Sequence, residues 1–188
     1  MSITLGVVDH GAGNLVSIAQ GLRASGAEVA VLTDGGDWDR FDGIVLPGVG
    51  ATATAMRRLN SHGLVEPLRS WRKPLLGICV GLQLLFERSD EDGAECLNLL
   101  EGHVAKLIDA PRLPHIGWND VTLRPDPLFM GLGDSEPFYF VHSYAPIPSD
   151  VATIIGTSEY QAPFVAAARL GNVVGVQFHP ERSGPAGL

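Results

Sequence analysis

Apolar positions recur along the first half of the chain in two alternating rhythms. Short β-branched runs at Ile3–Asp9, Ala27–Leu32, Gly43–Leu46 and Leu75–Ile78 read as strands. Leu15–Ser25, Thr54–Leu59, Leu64–Trp71 and Val80–Glu87 carry helical spacing. Leu15, Ile18, Ala19 and Leu22 fall at i, i+3, i+4 and i+7, and Gly26 follows where a helix of that length ends. After about residue 99 the helical rhythm stops. Strands are predicted at Gly102–Ile108, Asn119–Leu123, Phe138–Tyr144, Thr153–Thr157, Phe164–Arg169 and Val173–Phe178, divided by Pro and Gly turns. Parallel strands need helical crossovers, whereas successive short strands do not. The expected fold class is therefore α/β, a mostly parallel central sheet flanked by helices with an antiparallel β extension.

Composition narrows the class of function. A chain of 188 residues suits one domain spanning 1–188. Its 18% charged and 45% hydrophobic residues describe a folded chain, not a disordered one. A net charge of −8, with Lys73 and Lys106 as the only lysines, argues against nucleic acid and anionic membranes as partners. No apolar run approaches the ~18 residues of a membrane span. Residues 1–9 carry no basic leader segment, so a cytoplasmic location is expected. Cys79 and Cys96 support neither a disulfide framework nor a metal site.

The chemistry concentrates in three segments. Gly77-Ile78-Cys79-Val80-Gly81 has the glycine spacing of a nucleophile elbow, in which a sharp strand-to-helix corner thrusts a side chain into a cleft. The start of a helix favours thiolate there. Cysteine is elsewhere more often a small buried hydrophobe, and the glycine spacing after an apolar strand is what favours a nucleophile. Val173–Phe178 runs into His179-Pro180-Glu181, where a carboxylate can hold one imidazole nitrogen and leave the other to exchange a proton with the thiol. Pro47-Gly48-Val49-Gly50 closes another strand with flexible backbone, and the N–H groups of Val49 or Gly50, with that of Val80, can form an oxyanion hole. As an isolated feature this loop equally suits an ordinary turn. Asp9-His10-Gly11-Ala12-Gly13-Asn14 follows a strand but lacks the third glycine and the lysine of a phosphate loop. It is read as a turn packed beside the cleft or facing a partner. His62 and His103 receive no role.

Together these segments resemble the class I (triad) glutamine amidotransferases, and within them the glutaminase subunits of imidazole glycerol phosphate synthase. Pro114-His115-Ile116-Gly117-Trp118-Asn119 and Tyr139-Phe140-Val141-His142-Ser143-Tyr144 carry the subunit-level likeness, along with Asp9–Asn14, Pro47–Gly50 and Phe178–Gly187. The resemblance implies hydrolysis of glutamine to glutamate and ammonia through a thioester on Cys79, with His179 as acid and base, Glu181 orienting it, and no cofactor. It places Gly48, Gln83, Glu91, Ser143 and Tyr144 around bound glutamine. It implies a heterodimer with a βα-barrel cyclase subunit that uses the ammonia, with Asn14, His115, Trp118 and Arg182 toward that partner. Trp118 read by itself suits core packing as well as an interface.

Two departures from the family stand out. Arg182 replaces the usual lysine after His-Pro-Glu, keeping the charge and changing its geometry. Family members also continue past Ser183–Leu188 into a final helix, so a trimmed carboxyl end is expected. The elbow alone leaves open another triad glutaminase, a stand-alone γ-glutamyl hydrolase, or a noncatalytic scaffold; an intact Cys79, His179 and Glu181 speak against the last.

Overall fold

The structure, a computed structural model, describes residues 2–188. Its first half runs β1 (Thr4–Val8), α1 (Leu15–Ala24), β2 (Glu28–Leu32), β3 (Gly43–Gly48), α2 (Thr52–Ser61), α3 (Val65–Ser70), β4 (Leu75–Cys79) and α4 (Val80–Leu84). The second half is β5 (Arg88–Ser89), β6 (Ala94–Glu95), β7 (Gly102–Lys106), β8 (His115–Leu123), β9 (Ser135–His142), β10 (Tyr144–Pro148), β11 (Ile154–Tyr160), β12 (Ala162–Leu170) and β13 (Val173–Val176). Nine strands join in one sheet in the order β2-β1-β3-β4-β13-β12-β11-β8-β9. Neighbours from β2 through β13 are parallel, and the rest are antiparallel. The expected α/β class and antiparallel extension are both present.

Position in the sheet explains the strand sequences. Central β3 is buried at all six positions, as its apolar run requires once both faces are covered. Edge strand β2 leaves Glu28 and Val31 exposed. The α1 stripe buries Ile18 and Ala19.

Three elements depart from the sequence expectation. Strand β8 begins at His115, four positions before Asn119, because it pairs with β9 continuously from His115↔His142 to Thr122↔Ser135. The expected strand Phe138–Tyr144 divides at Ser143. Beyond it β10 crosses into a second sheet of order β10-β7-β5-β6. Strand β10 holds Pro146 and Pro148, which obscure it in the sequence, and it tolerates them because it lies at that sheet's edge. Helix α4 stops at Leu84 instead of Glu87. The carbonyls of Leu84, Leu85 and Phe86 accept hydrogen bonds from the N–H groups of residues 97–100, and this tertiary pairing displaces the next helical turn.

Candidate active site

Three adjacent parallel strands end together. Gly48 at the end of β3 lies in register with Cys79 at the end of β4, and Val176 of β13 lies beside Ile78. The carboxyl ends of parallel strands are where open α/β sheets bind ligands. His179 follows three residues after Val176, so the topology brings Cys79 and His179 to one rim although 100 positions separate them.

Cys79 turns the corner from β4 into α4 with φ 55° and ψ −111°. A non-glycine residue held in such a region costs about 1–3 kcal/mol, so its surroundings must impose it. The glycines show how. A Cβ on Gly77 would lie 2.6 Å from the Gly81 carbonyl oxygen, and one on Gly48 would lie 2.9 Å from the Val80 Cβ. The backbone of the corner and of its neighbouring strand can close together only without those atoms.

His179 Nδ1 and Glu181 Oε1 are 3.0 Å apart, and both side chains are almost fully buried. With the ring's Nδ1–H donated to the carboxylate, Nε2 is the nitrogen left for the thiol. Burial works to lower the His179 pKa, but interaction with Cys79 and with Glu181 outweighs it and raises the value to about 10. The site therefore favours an imidazolium facing sulfur. The sulfur also lies 3.8 Å from the Val141 carbonyl oxygen, to which the thiol proton can be donated, and 3.7 Å from Gln177 Nε2. Cys96, by contrast, is buried and pushed up to about 12, so the second cysteine is inert.

A cleft of about 250 Å3 opens over the sulfur. Cys79, Val80, His179, Glu181, Val49, Gly50, Gln83, Glu91, Ser143 and Tyr144 all line it. Gly48 is buried just beneath, in register with Cys79. Val80 opens α4, where its N–H has no intrahelical acceptor. Gly50 has φ +86° and nothing within 4 Å of an added Cβ, so the loop is shaped by backbone conformation and not by crowding. His10 Nε2 donates to the Pro47 carbonyl at 2.9 Å, which ties the Asp9–Asn14 turn to this loop. Burial lowers the His10 pKa, in keeping with a neutral tether. Glu91 accepts from the Thr52 N–H at the start of α2 at 3.3 Å, and burial raises its pKa.

The sequence matches the glutamine amidotransferase class-I family over residues 6–187. The chain belongs to that family. Among similar proteins is "Imidazole glycerol phosphate synthase subunit HisH" of Moorella thermoacetica, 44% identical over 98% of this chain and 90% of that protein. The protein of the same name from Cutibacterium acnes is 48% identical over 99% and 93%. Among solved structures, a putative GMP synthase subunit from Thermoplasma acidophilum superposes with TM-score 0.75 at 22% identity, covering 100% of this chain and 89% of that one. PurLQS from Thermotoga maritima gives 0.74 at 20%, covering 97% and 89%. These distant likenesses concern the fold.

Around the cleft of this class-I amidotransferase, the residues expected to face a partner separate into two groups. Asn14 and Arg182 line its mouth and are exposed. Trp118 is 56% exposed and stands edge-on to Tyr139, which lies 4.2 Å beneath the Arg182 guanidinium. His115 does not join them. It is 3% exposed, stacked between Phe140 and Tyr160, and its expected place on a surface patch is corrected to the core. The cause is strand alternation: His115 and Trp118 are an odd number of positions apart on β8, so they face opposite sides of the sheet.

Two further residues of the site are not among those singled out for chemistry in the sequence. Gln177 is fully buried and reaches the sulfur. Its signal was available, a lone polar side chain inside the apolar run Val173–Phe178. His142 also lines the cleft, and burial holds it down to about 3, hence neutral. Nothing in its local sequence sets it apart.

Proposed function

We propose that this chain is the glutaminase subunit of imidazole glycerol phosphate synthase in histidine biosynthesis, working in the cytoplasm with a βα-barrel cyclase subunit. The observation that carries the reading is the single cleft in which Cys79, His179 and Glu181 meet beneath the Val49–Gly50 loop. The names and full-length similarity of the relatives supply the pathway.

In this reading His179 Nε2 takes the Cys79 proton and the sulfur attacks the side-chain amide carbon of glutamine. The carbonyl electron pair moves to oxygen, where main-chain N–H groups of Val49 or Gly50 and of Val80 receive it. As the carbon–nitrogen bond breaks, His179 returns the proton to nitrogen and ammonia leaves a γ-glutamyl thioester. Water, deprotonated by the same imidazole, then attacks the thioester; glutamate departs and the thiol regains its proton. Gly48, Gln83, Glu91, Ser143 and Tyr144 hold the amino acid, the Glu91 carboxylate suiting its ammonium group. Ammonia passes to the cyclase, which yields imidazole glycerol phosphate and aminoimidazole carboxamide ribotide. Asn14, Trp118 and Arg182 face that subunit.

The test replaces Cys79 with alanine and assays the assembled synthase with glutamine and, separately, with ammonium salt. Loss of the glutamine-dependent reaction alone is expected. Synthesis from glutamine by Cys79→Ala overturns the covalent mechanism. Unassisted turnover by the isolated wild-type chain, unaffected by the barrel subunit, points instead to a stand-alone γ-glutamyl hydrolase.

A further inference from the structure

Beneath the cleft runs a line of buried polar groups whose hydrogen-bond directions can be assigned from one end. The Tyr144 carbonyl oxygen can only accept. His142 Nδ1 lies 2.9 Å from it and Gln83 Nε2 also 2.9 Å, so both are donors and its two lone pairs are filled. With its proton on Nδ1, neutral His142 presents an accepting Nε2 to His115 Nδ1 at 3.3 Å. The amide of Gln83 is thereby fixed with nitrogen toward Tyr144. Its other N–H meets Gln177 at 3.1 Å, and the atom that receives it must be Oε1. The opposite side of the Gln177 amide is then the –NH2 group, and that group lies 3.7 Å from Cys79 Sγ. The reversed amide would set its –NH2 group against Gln83's N–H, donor against donor, and would point oxygen at the sulfur.

We infer that Gln177 is a catalytic residue of this amidotransferase, its amide N–H holding the Cys79 sulfur as thiolate while Gln83 fixes the amide in the donating orientation. Gln177 is fully buried, so no solvent competes for the donor. A thiolate accepts a hydrogen bond more strongly than a thiol, because the donor's partial positive charge meets a full negative one. His179 reaches the sulfur separately, and it must give up its proton to the leaving nitrogen. Gln177 keeps its N–H throughout, whichever protonation state His179 is in, so its stabilisation is present both when the thiolate attacks and when it is expelled as the leaving group of thioester hydrolysis. Gln83 then acts twice, as a wall of the cleft and as the positioning residue for Gln177. The inference rests on Cys79 being the nucleophile of the proposed function.

The test follows iodoacetamide alkylation of Cys79 against pH, with the modified site identified by mass spectrometry. Gln177→Met keeps length and removes the donor. Gln177→Glu keeps an oxygen for Gln83 and puts a second oxygen against the sulfur. Both should move the alkylation midpoint upward, Gln177→Met by about one pH unit and Gln177→Glu at least as far. A midpoint unchanged in both variants overturns the assignment, and so does a shift confined to Gln177→Met, which would trace to the broken contact with Gln83. Should neither variant fold, the wild type decides. With 15N-labelled glutamine, the Gln177 side-chain amide resonance should titrate at the alkylation midpoint, and a flat resonance refutes the inference. Wild-type Cys79 no more reactive than free cysteine sinks the proposed function itself; a reactive wild type with unshifted variants sinks only the role of Gln177.

Discussion

Gly81 faces the Leu46 carbonyl oxygen with no room between them for a methyl group. Strand β3 and helix α4 therefore touch backbone to backbone, and this contact sets the Pro47–Gly50 loop beside Cys79. Gly81→Ala cannot be absorbed by a side-chain rotation, because the obstacle is main chain. It should destabilise the protein by about 1–3 kcal/mol or more and slow Cys79 alkylation as the elbow shifts. Gly50→Ala is the contrasting case, since an added Cβ meets nothing there while φ is +86°. Its cost is backbone strain of roughly 1–2 kcal/mol, and glutaminase turnover should fall further than stability. Thermal melting and single-turnover kinetics on the two variants separate crowding from conformation.

The His179–Glu181 pair makes a prediction about alkaline pH. Burial lowers the imidazole's pKa, but Cys79 and Glu181 together raise it to about 10. A raised value means the folded state holds the proton more tightly than the unfolded chain does, whose histidines titrate near ~6.5. That stabilisation is complete below about 6.5 and is lost as pH rises through about 10. Chemical denaturation across this range should show the decline in the wild type and a shallower one in Glu181→Gln. The same variant should lose roughly 100-fold or more in turnover, since the imidazole no longer has a fixed tautomer.

The parallel half of the fold and the meeting of Cys79, His179 and Glu181 in one cleft were legible in the sequence for one reason: the signals are local. Alternating strand and helix rhythms mark β1 to α4, and the glycines around Cys79 mark the corner because crowding there is set by near neighbours. The second sheet was not legible. Strand β10 carries two prolines, and its edge position, which tolerates them, is a property of the assembled sheet. The length of α4 is not legible locally either, because its missing turn is claimed by the N–H groups of residues 97–100. Glu91 and Tyr144 carry no local mark of chemistry and entered through family resemblance. The mark of Gln177 is subtler, a polar side chain inside an apolar strand.

His142 predicts behaviour in acid. Burial pushes its pKa down to about 3, with His115 and His179 adding to the shift and the Tyr144 carbonyl opposing it. The folded state must keep this ring neutral, while the unfolded chain takes up a proton near ~6.5. Its neutrality costs no stability above that value, and the fold weakens as pH falls from about 6.5 toward about 3. His142→Phe should flatten this acid limb in urea titrations. It should also raise KM for glutamine, because Tyr144 loses the donor that holds its carbonyl. A flattened limb with unchanged KM would show that Gln83 suffices to hold Tyr144.

His115 and Trp118 lie three positions apart on one strand and should fail in opposite ways. Trp118 is exposed beside Tyr139 and Arg182, so Trp118→Ala should leave the isolated chain's stability within about 0.5 kcal/mol. Its cost should appear on titration with the barrel subunit, at about 2 kcal/mol or roughly 30-fold in affinity if the indole is an interface anchor. His115→Ala removes a ring stacked between Phe140 and Tyr160 and leaves His142 Nε2 buried without its donor. A loss of about 2–4 kcal/mol is expected from the cavity and the orphaned acceptor together, visible in urea unfolding with no partner present. Calorimetry at a temperature where both variants are folded should find affinity reduced for Trp118→Ala and nearly unchanged for His115→Ala. The reverse pattern would mean that β8 presents its other face to the partner, which requires the strand to shift its register on β9 by one residue.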